Sequence, residues 1–574
     1  MQKRWVEQAL LYPEKVEELC KSLGISRVLA RLLTKREIHS YQDAEHFFCP
    51  ELNHLHDPFL MKDMDKAILR IEKALENNEK ILIYGDYDVD GTTAVALVYS
   101  FFREFYNRID FYIPDRYAEG YGISTAGVDY AHEHGFSLII ALDCGIKSMD
   151  KVSYAHSKQI DFIIADHHNP SDTLPDAAAV LDPKRIDCNY PFKELSGAGI
   201  GFKLIQAFSQ RNSISDEKVY CYLDLVAVSI ASDIVPIVGE NRVLTHYGLK
   251  KFNSNPCVGL EALIALSRNK EVFSVRDLVF QIGPRINAAG RIKHARDAVF
   301  LLVSRSAEEA RQFSEQIDIQ NSQRKDFDSQ ITEEALAMID ESEEFRQRKT
   351  TVVYKQDWHK GVIGIVASRL TEKYYRPTVV LTRSNGMVAG SARSVLGYDL
   401  YEALNQCSEL FEQFGGHKYA AGLSMLEENV SAFQTRFEEI VSANIPMQLL
   451  TPELLIHEVL ELKEIGGKFF RILKRFAPFG PQNESPLFLS KGVNLVGYAS
   501  IVGKGHLKMR VVQGASSAFE CIGFGLAEMY SLVSDGLPFD ICYSIEENVW
   551  RDRREIQLNI KGIKMAEYST ESVN

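Results

Sequence analysis

The segment GDYDVDGTTA sets Asp86, Asp88 and Asp90 at alternate positions directly behind the apolar run Ile81 to Tyr84. Three carboxylates at the end of one strand repel each other in a partly buried site unless a cation sits among them. The D-x-D-x-D-G spacing matches the opening of an EF-hand calcium loop, but the acidic twelfth residue which that loop requires falls at Leu97, and a strand precedes it instead of a helix. Two later apolar runs also end in ionisable residues: LIIALDCG delivers Asp143, and FIIADHH delivers Asp166, His167 and His168. A fourth piece, YLDLVAVSIASDIVP, supplies Asp224 and Asp233. An aspartate inside a helix usually caps it or pairs with a neighbour, so Asp233 is the expected ligand and Asp224 the structural residue. Oxygen-rich ligands with one or two imidazoles suit Mn²⁺ or Mg²⁺ better than zinc. Two such ions sharing a carboxylate such as Asp143 form the clamp used in phosphoryl displacement, which points to phosphate-ester hydrolysis.

The elements that must position these residues follow from the hydrophobic pattern. From residue 66, β-rich runs alternate with helices (KILIYGD, TTAVALVYSFFREF, IDFYIPD, a helix through Val128 to His134, SLIIALD, QIDFIIAD). That alternation predicts a doubly wound parallel sheet, whose ligands gather at the carboxyl ends of the strands. The chain then divides into an N-terminal helical segment (1–65), this α/β domain (66–303), a connecting helix (304–348), a second α/β domain (349–450), an OB-like β-barrel (451–565) and a tail (566–574). The connector is read as one long helix from Ser306 to Arg348, opened by a Ser306/Glu309 capping box and buried along Phe327, Ile331, Ala335 and Ile339. The fold class is therefore multidomain α/β with a terminal barrel.

Composition narrows the setting. With 45% hydrophobic, 10% aromatic and 25% charged residues the chain is ordinary for a globular protein, which sets aside disordered and collagen-like readings. No apolar run approaches the ~20 residues that span a bilayer, and the N-terminal stretch lacks a signal peptide's apolar core, so no membrane partner and a cytoplasmic location are expected. Nine scattered cysteines without a CxxC pair argue against a disulfide framework and a zinc finger. A net charge of -13 means that any nucleic-acid surface must be a local basic groove.

The set DYDVDG, LDCG, DHH and SIASD, in this order, resembles the DHH phosphoesterase superfamily, with the naming triplet at Asp166 to His168. Further segments are similar to its RecJ exonuclease branch: IPDRYAEGYGI, LSGAGIGFKL, FQIGPRINAAGRI, HKGVIGIVASRL, GSARS and FGGHKYAAG. The resemblance spans nearly the whole chain and makes the second α/β block the DHH-associated domain. It implies a 5′-to-3′ exonuclease on single-stranded DNA that releases mononucleotides. The alternative within the superfamily is a phosphodiesterase of cyclic dinucleotides or short oligonucleotides. Two departures stand out: Ser229 lies where relatives more often carry threonine, and Asp182 lies where an asparagine is expected. Neither is expected to touch a ligand.

On this reading Asp88, Asp90, Asp143, His167 and Asp233 hold two Mn²⁺ or Mg²⁺ ions, Asp86 orients them, and His168 stabilises phosphoryl charge or protonates the leaving group. The glycine-rich segments let backbone approach a strand, with Arg285, Asn287, Arg291, His359, Ser391, Arg393, His417 and Lys418 as contacts. Arg116, Ser391 and Arg393 are assigned to the terminal 5′-phosphate. The barrel's Lys504, Lys508, Arg510, Arg551, Arg553 and Arg554, mixed with Tyr498 and Trp550, form a candidate strand-gripping patch. Partners implied by the substrate are single-stranded DNA, a single-strand-binding protein and a helicase. The chain is read as a monomer.

Overall fold

A computed structural model describes residues 3–267, 270–550 and 553–566. They form two units, one comprising His56–Val235 and Leu244–Pro452, the other the residues before His56, Pro236–Val243 and those from Glu453 onward.

In the first unit, strands β1 (Lys80–Gly85), β2 (Ile109–Tyr112), β3 (Phe136–Leu142), β4 (Asp161–Ala165) and β5 (Ala179–Leu181) make a fully parallel sheet in the order β2-β1-β3-β4-β5. The central strands are near-continuous runs of Ile, Leu and Phe, as both faces are covered by helices. Chain order reverses between β1 and β3, and at such a switch point the crossover helices diverge and leave a crevice beyond the strand ends. The ends of β1 and β3 carry Asp86 and Asp143. Helix α1 (Val89–Arg103) is buried almost all round and lies against α2 (Gly197–Arg211) and α3 (Leu223–Ser232). Helix α4 (Gly283–Ile292) follows a π turn at Leu278–Ile282.

The connector α5 runs Ala307–Glu341 and stops at Ser342, whose side chain caps a separate short helix, Glu343–Gln347. It is thus shorter than the sequence suggested. Ser306 accepts the Glu309 N–H at 3.2 Å, and no reciprocal bond from the Glu309 side chain forms among the described residues. Ile331, Ala335 and Ile339 are buried, whereas Phe327 is 38% exposed and stacks on His359 with ring centroids 5.0 Å apart. The four-residue repeat drifts around a 3.6-residue helix, which carries Phe327 off the buried stripe. Beyond it β6 (Thr351–Tyr354), helix α6 (Ile363–Tyr374), β7 (Thr378–Ser384), β8 (Met387–Arg393), β9 (Gln413–His417) and β10 (Ala420–Met425) build a second sheet, ordered β9-β10-β8-β7-β6, with only β6 and β7 parallel.

The other unit is built on a seven-stranded sheet that curls into a partly closed ring. Its strand Phe488–Leu495 pairs with both Phe539–Trp550 and His506–Val512. The N-terminal helices Pro13–Leu23 and Arg27–Thr34 share this unit's core: Leu19, Leu29 and Leu33 pack with Phe476, Phe488 and Tyr543. The segment RWVE, too short to announce itself as a strand, pairs in parallel with Glu453–Ile456. Among the described residues no helix is long and apolar enough to cross a membrane.

Arg242 holds this unit together from a short stretch of mid-sequence chain. Its guanidinium lies 3.8 Å from the Phe47 ring centroid and donates to the carbonyls of Phe47 at 3.0 Å, Phe476 at 2.9 Å and Ala477 at 2.9 Å. Burial, and secondarily Arg36, lowers its pKa to about 9. Arg242→Ala leaves several buried carbonyls without donors and should destabilise this unit by roughly 3 kcal/mol or more. Chemical denaturation followed by Trp5 fluorescence, with an unchanged midpoint in the variant, would contradict that role.

Candidate metal centre and substrate cleft

The three strand ends and the end of α3 converge. His167 lies at the middle, with Nε2 3.1 Å from Asp143 Oδ1, 3.5 Å from Asp233 Oδ2 and 3.7 Å from Asp90 Oδ2. Asp88 caps α1 by accepting the Gly91 N–H at 3.0 Å, and Asp86 accepts the Gly122 N–H at 3.2 Å. Asp90 is clamped from outside its own motif: it accepts the Gly197 and Ala198 N–H groups at 2.7 and 2.8 Å and the Ser229 hydroxyl at 2.7 Å. The free amides at the N-terminus of α2 thus hold a carboxylate belonging to α1. Asp143 adopts φ 60°, a left-handed conformation costing ~1 kcal/mol or more for a residue with a Cβ.

The electrostatics show what the cluster lacks. Burial, then neighbouring carboxylates, pushes Asp86, Asp88 and Asp143 above the usual carboxylate range and Asp233 to about 8. Burial drives His167 the other way, toward the neutral imidazole that ligates metals. Asp86 Oδ2, Asp143 Oδ2 and His167 Nδ1 are buried without a hydrogen-bond partner. Unpaired carboxylate oxygens and a neutral imidazole in one crevice are the donor set of an oxygen-seeking divalent cation. Asp90, Asp143, His167 and Asp233 are placed to hold such ions, with Asp88 beside them.

Asp166 stands one step back, while His168 lies close enough to Asp143 and His167 to share an ion with them. Asp166 accepts the backbone N–H groups of Ile146, His167 and His168, at 2.9, 2.8 and 3.1 Å, and His168 Nδ1 at 2.7 Å. Burial would raise its pKa, but these bonds prevail and bring it to about 2. His168 Nε2 lies 3.0 Å from the Tyr121 hydroxyl, and its pKa rises to about 9 because its bond to Asp166 and the charge of that carboxylate outweigh burial.

Beside the carboxylates is a cleft of about 490 Å³, lined by Tyr87, Arg116, Arg291, Lys360, Ser391 and Arg393 together with Gly390, Gly415 and Gly422. Tyr87 sits between Asp86 and Asp88 in sequence, and Arg116 lies 4.7 Å over its ring. None of Arg116, Arg291 and Arg393 forms an ion pair among the described residues. Arg291 donates to the Gly361 carbonyl at 2.9 Å, and Arg393 to Ser391 Oγ at 3.1 Å and the Ala392 carbonyl at 2.7 Å. Burial, then mutual repulsion with Arg116 and Arg324, lowers Arg291 to about 9; Arg393 is lowered by burial and by Arg116. This cleft concentrates positive charge as the crevice concentrates negative charge.

A model of the DHH family N-terminal domain matches residues 80–230, a DHHA1 domain model residues 347–443 and a RecJ OB domain model residues 456–562. The Bacillus subtilis (strain 168) protein named single-stranded-DNA-specific exonuclease RecJ is 36% identical over 559 residues, covering 97% of this chain and 70% of that protein. This chain belongs to the RecJ family. The Escherichia coli (strain K12) RecJ is 33% identical, over 93% of this chain and 95% of its own. RecJ from Thermus thermophilus, solved in complex with Mn²⁺, superposes with a TM-score of 0.83 at 26% identity, covering 98% of this chain and 80% of that one.

Several expected contacts of a RecJ strand cradle lie elsewhere. Arg285 turns away from the cleft to Asp318 at 3.0 Å and the Gln281 carbonyl at 2.6 Å, so its donors are occupied by the preceding π turn and α5. Asn287 is half-buried on α4 and does not line the cleft. His359 is occupied by Phe327 and by the Gly361 N–H, which it accepts at 3.1 Å. His417 and Lys418 are exposed at the tip of the β9–β10 hairpin, outside the lining. In the barrel, Arg510 pairs with Glu520 and Arg554 with Glu547, which neutralises part of the expected patch; Arg551 is outside the described residues. Asp224 is structural: it is fully buried and accepts the Cys257 N–H at 2.6 Å.

Of the two departures from the RecJ pattern, one comes out differently from expectation. Ser229 does touch a candidate ligand, through the bond to Asp90 that a threonine hydroxyl would supply equally well. Asp182, at the end of β5, is fully buried with Oδ2 unpartnered, and burial followed by Asp166 lifts it to about 7. Residues that sequence reasoning passed over are Gly197, Tyr87 and Tyr121. Gly197 is irreplaceable on steric grounds, since a Cβ there would stand 2.5 Å from Asp143 Cβ. Gly197→Ala therefore displaces Asp143 and loosens the clamp on Asp90. The rise in Tm on adding excess Mn²⁺ should shrink relative to wild type, in keeping with at least ~tenfold weaker binding, about 1.4 kcal/mol. An equal rise would refute this arrangement.

Proposed function

We propose that the chain is a single-stranded-DNA-specific exonuclease that works from 5′ to 3′ and releases 5′-mononucleotides by two-metal-ion hydrolysis. The observation carrying this reading is the adjacency of two opposite concentrations of charge: carboxylates crowded in the crevice, and three arginines in the neighbouring cleft that form no ion pair among the described residues. A nucleotide strand suits both, with phosphate anions for the arginines and phosphoryl oxygens for metal-bearing carboxylates. The family relatives named for single-stranded-DNA exonuclease activity, and the relative solved with Mn²⁺, support the same substrate and ions.

Two Mn²⁺ or Mg²⁺ ions, when bound, supply Lewis-acid stabilisation and an activated water for in-line displacement. The chain's own groups do the rest. Asp88, Asp90, Asp143, His167 and Asp233 hold the site's geometry, and Asp86 ties it to the loop at Gly122. His168, held by Asp166, faces the reacting phosphate as a charge stabiliser or proton donor to the leaving oxygen. Arg116, Arg393 and Ser391 hold the terminal 5′-phosphate, with Arg291 and Lys360 along the backbone. Anchoring the 5′ end beside the reacting phosphate fixes the polarity. On the barrel, exposed Tyr498 and Phe524 with Lys504 and Lys508 suit stacking and backbone contacts to the strand. Such an enzyme is supplied by a helicase and a single-strand-binding protein in DNA repair and recombination, acting as a cytoplasmic monomer.

The test is a time course with Mn²⁺ on a long single strand labelled separately at its two ends, beside its duplex. Immediate release of 5′-labelled mononucleotide, with the 3′ label retained on shrinking strands and the duplex spared, is expected. Asp143→Ala should abolish cleavage yet still bind the strand. Arg393→Ala should reduce the preference for a 5′-phosphorylated over a 5′-hydroxyl end by about tenfold or more, the loss of one charge-assisted contact. An unchanged preference removes the anchor, and cleavage of dinucleotides alone moves the chain to small substrates.

A further inference from the structure

The loop between β2 and the helix Thr125–Glu133 carries a tyrosine that the exonuclease chemistry leaves unused. Tyr121 sits between Gly120 and Gly122, whose φ values of 88° and 81° are conformations that L side chains rarely adopt. The loop is pinned on both sides of it. Downstream, Gly122 donates its N–H to Asp86 and accepts the Tyr84 hydroxyl at 3.0 Å, and Ser124 returns an N–H to that hydroxyl at 3.1 Å. Upstream, Asp115 Oδ1 accepts the Tyr117 and Ala118 N–H groups, each at 2.8 Å, while Glu119 accepts the Asp115 N–H at 2.8 Å. These bonds fix where the Tyr121 ring emerges. Its hydroxyl meets His168 Nε2 at 3.0 Å, on the far side of the imidazole from Asp166.

We infer that Tyr121 is a positioning residue for His168, and that with Asp166 it holds the imidazole in one ring orientation beside the candidate metal ligands Asp143 and His167. Asp166 Oδ1, surrounded by N–H donors, is an acceptor, so His168 Nδ1 carries hydrogen and Nε2 is left to the phenol. One anchor leaves an imidazole free to swing about its Cβ–Cγ bond, while two on opposite nitrogens do not. Tyr121 is 54% exposed, so its hydroxyl is not there to hold a core together. Its ring stands edge-on to Tyr87 at 5.9 Å, which ties the same loop to the cleft where Arg116 lies. The inference deepens the exonuclease reading and rests on it for the role of His168.

Tyr121→Phe keeps the ring and removes only the hydroxyl. In the full chain with Mn²⁺, kcat on a 5′-phosphorylated strand should fall by about tenfold with KM unchanged, as for loss of an outer-shell hydrogen bond. Combined with His168→Ala, the same substitution should add less than about twofold, because its effect passes through that ring. Histidine-selective ¹⁵N labelling gives a readout independent of turnover: His168, identified by its absence in His168→Ala, should show one sharp pair of ring ¹⁵N resonances in the wild type and a broadened, averaged pair in Tyr121→Phe. A wild-type kcat in Tyr121→Phe, a full additional loss on top of His168→Ala, or an unaltered imidazole spectrum would each overturn the inference. If the wild-type chain cleaves no single strand, the exonuclease reading falls, and the imidazole spectrum alone then decides the role of Tyr121.

Discussion

The structure is governed by charge that it does not neutralise internally. Four carboxylates and an imidazole share a crevice from which water is largely excluded, and burial and mutual repulsion raise three of the candidate ligands, Asp88, Asp143 and Asp233, above the ordinary carboxylate range. Bringing even one uncompensated charge out of water costs several kcal/mol, so the fold tolerates the cluster only because other groups hold it from behind. They are backbone N–H groups at Asp86, Asp88 and Asp90 and the N–H and imidazole donors at Asp166. These bonds fix the carboxylates while leaving lone pairs directed at one another. Such an arrangement is costly without cations and well organised with them.

The parallel sheet explains how so many charges reach one place. In the order β2-β1-β3-β4-β5 every strand points the same way, so the apolar runs end on the same edge, and Asp86, Asp143 and Asp166, which follow β1, β3 and β4, gather there. Helix α2 approaches that edge with its N-terminus, and its first amides meet Asp90 across more than a hundred residues of sequence. Close approach there requires that Gly197 carry no side chain, since Asp143 occupies the space. Helix dipole, steric room and ligand position are therefore settled by the same three residues, Ser196 to Ala198.

The legible part of this design is the part written locally. An aspartate after Ile-Leu-Ile-Tyr or Leu-Ile-Ile-Ala-Leu is a strand-end carboxylate whatever the rest of the chain does, because the run itself dictates the strand and its burial. Asp233 was legible for a related reason, standing just past an apolar helix. Illegible residues depend on partners distant in sequence. Ser229 reads as one small polar residue within a helix until its hydroxyl is seen on Asp90, and Tyr121 between two glycines reads as a turn. Arg285 and Arg291, six residues apart in one glycine-rich segment, look equivalent in composition, yet helical phase sends one to Asp318 and the other to the cleft. The N-terminal strand was hidden by its brevity, since four residues carry too little alternation to distinguish a strand.

The same reasoning underlies the proposed strand polarity. A metal cluster alone cleaves any phosphodiester that reaches it and gives no preference between the two ends of a strand. Direction requires a second site that distinguishes a terminal phosphate, with its extra charge, from an internal diester. Guanidiniums that repel one another, as Arg116, Arg291 and Arg393 do, gain most from the ligand bearing the greatest charge, because each added negative charge relieves several repulsions together. A carboxylate partner for any of the three would cancel this advantage while barely altering the cleft's shape. The proposed selection of a doubly charged strand end by a cleft in an overall acidic chain therefore rests on the lack of such partners among the described residues.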